Sequence, residues 1–186
     1  MKLDPAAVKI VETLEKAGFE AWIVGGAVRD MLLGNPSSDW DVTTNATPEQ
    51  ITPLFTESFY DNEYGTVKVA GSHIKEQFKL DDSQVEYSSL FDITTYRSES
   101  EYTDKRRPDH VVWGMTIQED LKRRDFTINA IAVNIRGELV DPYEGQIDLE
   151  RKLIRAVGNA NERFAEDALR IMRAIRIASQ LGFTIE

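Results

Sequence analysis

No cysteine occurs in the 186 residues, so disulfides and thiolate metal sites are both excluded, and any metal chemistry falls to hard oxygen ligands. No apolar run is long enough to span a bilayer. The start, Met1-Lys2-Leu3-Asp4-Pro5, leads into a charged amphipathic segment rather than the apolar core of a signal peptide. These absences describe an intracellular, cytoplasmic protein with no membrane partner. Internal repeats and low-complexity linkers are also missing, and with 41% hydrophobic residues the chain reads as one domain with an attached piece. Basic charge is scarce as well. The net charge of -10 argues against an extended nucleic-acid surface, because phosphate contacts need Lys and Arg. The shortage is uneven: residues 1–120 hold 11 basic and 22 acidic side chains, whereas residues 121–186 hold 11 and 10. Any polyanion would be held by the second part or by something outside this chain.

Asp39-Trp40-Asp41 stands just downstream of Gly25-Gly26-Ala27-Val28-Arg29-Asp30. Two aspartates separated by one residue on a strand point to the same face and can share a hard cation. Ala21-Trp22-Ile23-Val24 reads as a buried strand entering the Gly25-Gly26 turn, where missing Cβ atoms let a bulky anion approach backbone N–H groups. A helix opens straight after, its N-terminus and Arg29 aimed at the same space. Each half has an ordinary alternative, a plain turn and a solvated strand end. In this order they describe a metal-triphosphate site.

A coarse reading gives an α/β order. Asp4-Pro5 caps a helix to about Lys16, and Thr47-Pro48-Glu49-Gln50 starts another. Residues 65–70, 74–80 and 90–96 read as strands, with a hairpin tip or loop at Asp81-Asp82-Ser83-Gln84 and a polar, mobile surface loop over 98–109. Thr116-Ile117-Gln118-Glu119 is a capping box for a helix through Arg123. Short strands follow near 131–133 and 153–156. From Asn161 the apolar residues Phe164, Ala168, Ile171, Ile175 and Ala178 recur at the spacing of one helix that runs to Leu181 and ends at Gly182.

A two-metal site usually needs a third carboxylate on a neighbouring strand. Asp92 is the candidate, since it alternates with apolar Phe91 and Ile93 and so faces away from their packing. An exposed sheet carboxylate is the ordinary alternative.

Strand, Gly-Gly, helix, short loop and strand with Asp-x-Asp together resemble the nucleotidyltransferase superfamily related to DNA polymerase beta. The string from Gly25 to Pro48 is similar to a narrower family, the class II tRNA nucleotidyltransferases (CCA-adding enzymes) and bacterial poly(A) polymerases. Arg123-Arg124-Asp125-Phe126-Thr127-Ile128-Asn129-Ala130 resembles that family's second motif. Asp141-Pro142-Tyr143-Glu144-Gly145 resembles a third, and Glu166-Asp167-Ala168-Leu169-Arg170 resembles the family's template motif. At Asp92 family members carry an acidic residue, typically Glu, and this chain has the shorter Asp.

The resemblance covers residues 21–181 and implies a polymerase beta-like α/β head with a mixed sheet flanked by helices over residues 1–157. The start of a helical neck would occupy residues 158–186. It implies Mg²⁺ on Asp39, Asp41 and Asp92, triphosphate at Gly25, Gly26 and Arg29, triphosphate or sugar at Arg124, and ribose recognised or framed by Asp125 and Asn129. Further nucleotide or RNA contacts would come from Arg173 and Arg176. Asp167 and Arg170, three apart on one helical face, would offer an acceptor beside a donor. That pair matches the Watson-Crick edges of cytosine and adenine and mismatches those of uracil and guanine, so no nucleic-acid template is needed. A bare intrahelical ion pair is the ordinary alternative.

The activity implied is template-independent addition of CCA to the tRNA 3′ end from CTP and ATP, with CC-only, A-only and poly(A) addition as alternatives within the family. Residues 97–109 resemble the flexible loop of enzymes that complete CCA, and Ala168 differs from the Pro common in poly(A) polymerases. A noncatalytic nucleotide-binding head is the reading from a different class. Family members carry further helical domains that grip tRNA, so the chain is expected to be a fragment or an unusually minimal enzyme. Residues 73–89 carry extra acidic residues where relatives have a short hairpin, and His73 reads there as a strand or turn residue.

Overall fold

In the computed structural model, which describes residues 3–37, 39–60, 65–81, 90–100, 110–114 and 116–186, Asp4 caps the first helix as expected. Its carboxylate accepts from Ala6 N at 2.8 Å and Ala7 N at 3.0 Å. Pro5 sits in the first turn, where no donor is needed, and helix α1 runs Pro5–Lys16. Ala6, Ala7, Ile10, Val11 and Leu14 form its buried stripe at helical spacing. Strand β1 (Ala21–Val24), helix α2 (Gly26–Leu32), strand β2 (Asp41–Thr44) and helix α3 (Pro48–Ile51) follow. At the start of α3, Thr47 N donates to Gln50 Oε1 at 2.9 Å. Next come strands β3 (Phe59–Tyr60) and β4 (Thr66–Ala70), helix α4 (Gly71–Phe78) and strand β5 (Leu90–Thr95).

Strands β6 (Arg97–Ser100) and β7 (His110–Trp113) form a separate antiparallel pair ahead of helix α5 (Ile117–Lys122). The second half supplies β8 (Ala132–Val133), β9 (Leu139–Val140), helix α6 (Gly145–Arg151), β10 (Leu153–Ile154), helices α7 (Ala160–Glu166) and α8 (Leu169–Leu181), and β11 (Thr184–Ile185). The last strand returns to pair in parallel with β10.

The main sheet has seven strands in the order β3-β4-β5-β2-β1-β8-β9. It is mixed, with β2 and β5 parallel and their neighbours antiparallel. Alternation along each strand feeds two apolar clusters. Ile23, Val42, Val67 and Ile93 join α1 residues Ile10 and Leu14 in the larger one. Val24 and Ala132 join Tyr96, Ile117 and Leu121 of the α5 side in the smaller. The expected α/β class with a mixed sheet flanked by helices is therefore the observed one. No helix among the described residues is long and apolar enough to cross a membrane.

Three segments differ from the sequence reading. Residues 74–80 were expected as a strand, but Ile74 and Phe78 lie four apart and share the inward face of α4, which packs beside α1 and ends at Lys79 in a left-handed conformation (φ 51°). His73 is thus a helical residue, its Nε2 2.9 Å from Glu57. Residues 98–100 were expected in a mobile loop and instead belong to β6. The rest of that expected loop, 101–109, and residues 82–89 lie outside the described residues. The single helix expected over 161–181 is two. Asp167 takes an extended conformation (φ −137°, ψ 107°) and separates α7 from α8, which rotates the face that α8 buries to Arg170, Ala174 and Ile177 and leaves Ile171 and Ile175 exposed.

Gly145 has a packing role the motif did not reveal. A Cβ there would stand 2.3 Å from the Thr127 carbonyl oxygen and under 3 Å from two Ile131 carbons. Gly145→Ala is expected to destabilise the fold by about 2–4 kcal/mol through this overpacking, read as a lower denaturant midpoint. An unchanged midpoint would show that the Thr127 carbonyl can move aside.

Candidate active site

The site begins with backbone geometry. Val24 pairs with Asp41 across β1 and β2, and Asp41 pairs with Asp92 across β2 and β5, so three adjacent strands bring the Gly25 turn and two carboxylates to the same level. Gly25 has φ 78° and ψ −144°, a conformation closed to side-chain-bearing residues. Its absent Cβ would stand 3.2 Å from Asp41 Oδ2 and 3.4 Å from Arg124 Nη1. Gly26 opens α2 beside Arg29, whose Nη2 is 3.5 Å from the corresponding Cβ position.

Asp39 lies in the exposed segment just before β2, and Trp40 between the two aspartates is buried, with its indole N–H donating to Ser37 O at 3.0 Å. Burial of the Asp41 carboxyl pushes its pKa up to about 6. Arg124 opposes this, the charges of Asp39 and Asp92 add to it, and Lys68 opposes it. Lys68 escaped the sequence reading. It faces Asp92 across β4 and β5, and its Nζ lies 3.0 and 3.1 Å from the two Asp92 oxygens. The signal was a lone cation in an apolar strand, on the alternation face opposite Val67 and Val69. Among the described residues no three Asp, Glu, His or Cys side chains stand close enough to share one ion.

A continuous polar chain runs away from the turn. Arg29 binds Asp30 through Nε and Nη2, both at 2.9 Å, and donates from Nη1 to Asn129 Oδ1 at 2.9 Å. Asn129 Nδ2 donates to Asp125 Oδ1 at 3.2 Å. Asp125 Oδ2 accepts from Arg173 Nε at 2.8 Å and Nη2 at 2.7 Å. The fork geometry of Arg29 on Asp30 fixes the guanidinium that the sequence reading assigned to phosphate. Arg124 leans the other way, with Nη2 3.1 Å from Asp120 Oδ2.

The expected side-by-side placement of Asp167 and Arg170 on one helix is not found. Asp167 lies at the break and its carboxylate accepts from Leu169 N at 2.9 Å, capping α8. Arg170 is buried, with Nη1 2.7 Å from Glu166 and 3.2 Å from Arg163 O. A cap competes with helix continuation at an Asp, and that competition decides the local path. Arg176 is exposed one turn beyond Arg173.

A sequence profile of the Poly A polymerase head domain matches residues 21–155. The chain belongs to that family. The chain is 48% identical over 182 residues to the curated CCA-adding enzyme of Lactiplantibacillus plantarum, covering 97% of this chain and 41% of the relative. The chain thus spans about two fifths of the length of the curated relatives it matches. Its fold superposes on the crystal structure of the Bacillus stearothermophilus CCA-adding enzyme in complex with CTP with a TM-score of 0.81 at 37% identity, covering 100% of this chain and 42% of that one. A tRNA nucleotidyltransferase complexed with a primer tRNA and an incoming ATP analog matches with a TM-score of 0.68 at 28% identity, over 95% of this chain and 46% of that chain. Every motif that carried the resemblance, apart from the template string, lies inside the matched span.

Proposed function

We propose that this head domain binds CTP and ATP for a template-independent nucleotidyltransferase that adds CCA to the tRNA 3′ end and releases pyrophosphate. The observation that carries the reading is the convergence of two side chains on the Cβ-less Gly25, where a Cβ would stand 3.2 Å from Asp41 Oδ2 and 3.4 Å from Arg124 Nη1, with Asp92 in register beside Asp41. The named activities of the relatives supply the substrate class.

Asp39, Asp41 and Asp92 would hold Mg²⁺ between them, with no single ion drawing on all three. The all-oxygen donor set fits a hard cation, and the pKa of Asp41, raised chiefly by burial and further by the charges of Asp39 and Asp92, marks a carboxylate that such a cation would stabilise. Bound there, the ion supplies a lowered pKa for the attacking 3′-hydroxyl and charge neutralisation for the triphosphate. The protein's own part is placement. Gly25 and Gly26 leave room for phosphate oxygens, Arg124 balances their charge, and Asp125 with Asn129 frames the sugar. Asp167, partly exposed at the break before α8, and Arg170, whose guanidinium binds Glu166, are the residues assigned to the base.

The deciding assay offers tRNA lacking its 3′ end to the full-length protein with CTP and ATP, singly and together. Growth by C from CTP alone and completion only with both nucleotides supports CCA addition. Long A tracts from ATP alone would assign poly(A) synthesis, and no incorporation would leave a binding module.

Lys68 gives this reading a stability test. Lys68→Met strips Asp92 of its counter-charge and is expected to cost about 1 kcal/mol in metal-free buffer, since the pair is partly exposed. Millimolar Mg²⁺ should restore the loss by binding the native state. Unfolding curves with chelator and with Mg²⁺ check it, and an equal deficit in both would remove Asp92 from the metal set.

A further inference from the structure

Asp120 is fully buried yet carries a carboxylate, an expensive arrangement unless the charge is matched. Two guanidinium groups match it. Oδ1 takes Arg123 Nε at 3.0 Å and Nη2 at 2.8 Å, while Oδ2 takes Arg124 Nη2 at 3.1 Å. Burial raises its pKa, and the two arginines outweigh that and hold the group below the usual carboxylate range. The spacing is helical: Asp120 sits in α5, and Arg123 and Arg124 follow at i+3 and i+4 as the helix ends.

Arg124 is the member that reaches the site. With Nη2 tied to Asp120, its Nη1 lies 3.4 Å from where a Gly25 Cβ would stand, and its buried Nε has no partner among the described residues. Asp41 Oδ2 lies on the same side of that turn, 3.2 Å from the same point. Two carboxylates therefore compete for one guanidinium. Without Asp120, Arg124 has every electrostatic reason to swing onto Asp41, filling the turn and quenching the carboxylate.

We propose that Asp120 is a positioning residue that holds Arg124 aside from Asp41 and aimed at the Gly25 turn, ready for the phosphates of a nucleoside triphosphate. The inference rests on the nucleotide-binding reading of the site. Pre-setting the guanidinium removes a rotamer search from binding. The same bond keeps Asp41 open for its own ligand. Arg123, the other partner of Asp120, balances the buried charge.

The test is equilibrium binding of CTP, CMP and cytidine in Mg²⁺ to the parent chain, Asp120→Asn, Arg124→Gln and the double variant. Asp120→Asn is expected to weaken CTP by about 10-fold or more, in the range found for residues that orient a ligand-binding group, and to change cytidine by less than about 3-fold, within the scatter of an indirect effect. In the Arg124→Gln background the same substitution should add no further loss, because it acts through that arginine. Equal weakening of CTP and cytidine, or a loss that persists in full without Arg124, would reduce Asp120 to a folding role and overturn the proposal. Should Asp120→Asn fail to fold, Asp120→Glu keeps the charge and shifts the anchor by one methylene. It should show a smaller loss confined to the phosphorylated ligands, and unchanged CTP binding in that variant overturns the proposal equally. A parent chain that binds CTP no better than cytidine would instead sink the nucleotide-binding reading and this inference with it.

Discussion

Asp41→Asn is expected to lower nucleotide incorporation by about 10³-fold or more, the scale for losing a group that stabilises charge in the transition state, while making the metal-free protein more stable at neutral pH. The two effects share one origin. The Asp41 carboxyl has a pKa of about 6 in the fold against 3.8 for the unperturbed group, chiefly because burial disfavours its charged form. Below about pH 3.8 both folded and unfolded chains hold the proton, and stability is unaffected. Between 3.8 and 6 the unfolded chain releases its proton first, so stability falls as pH rises, and above 6 the full penalty stands. Some 2 pKa units correspond to about 3 kcal/mol. The neutral amide escapes that penalty, so Asp41→Asn should gain up to about 3 kcal/mol at about pH 8 and nothing at about pH 3. Urea unfolding in chelator at the two pH values, alongside incorporation rates in Mg²⁺, checks both halves. Activity within tenfold of the parent would refute the metal assignment, and a stability difference that ignores pH would refute the account of the carboxyl.

The second large effect concerns base choice. On the proposed reading Asp167→Ala would delete an acceptor for the amino group shared by cytosine and adenine, so UTP and GTP should gain on CTP and ATP by about 10²-fold in relative kcat/KM, the scale for a site that loses a discriminating polar contact. Arg124 and the Gly25 turn are untouched, so triphosphate affinity should change far less. The substitution also removes the cap on Leu169 N, a loss of about 1 kcal/mol of helix stability that a melting curve would register separately. Unaltered rejection of UTP and GTP would dismiss Asp167 as a reader of bases.

Short-range periodicity is the part of this fold that was legible in the sequence. The Asp4-Pro5 cap, the alternation that sets Asp92 opposite Phe91 and Ile93, and the Gly25 turn all depend on neighbours within a few residues. The resemblance to the family, legible in contiguous motifs, carried the fold class. Contacts that need the third dimension were hidden. Lys68 meets Asp92 across 24 residues of sequence, and Arg29 meets Asn129 across 100. The error at α4 came from a segment too short for period two and period 3.6 to be told apart. The break at Asp167 is invisible to apolar spacing, because it comes from a side chain that competes for backbone donors. Asp120 was within reach, since an Asp followed at i+3 and i+4 by arginines is a local pattern, but its complete burial was not.

The direct opposition of Asp41 and Asp92 on parallel strands makes the hydrophobic core an inspector of the candidate site. Slippage of β5 by one residue against β2 would turn Asp92 into the apolar layer and push Phe91 and Ile93 out, because every side chain on a strand changes face together. A chain with a misaligned carboxylate is therefore also a chain that cannot fold well. Single-residue insertions or deletions within β2 or β5 should accordingly be lost as insoluble protein rather than emerge as folded, inactive enzyme. Length changes in the loop between α2 and β2 escape that inspection.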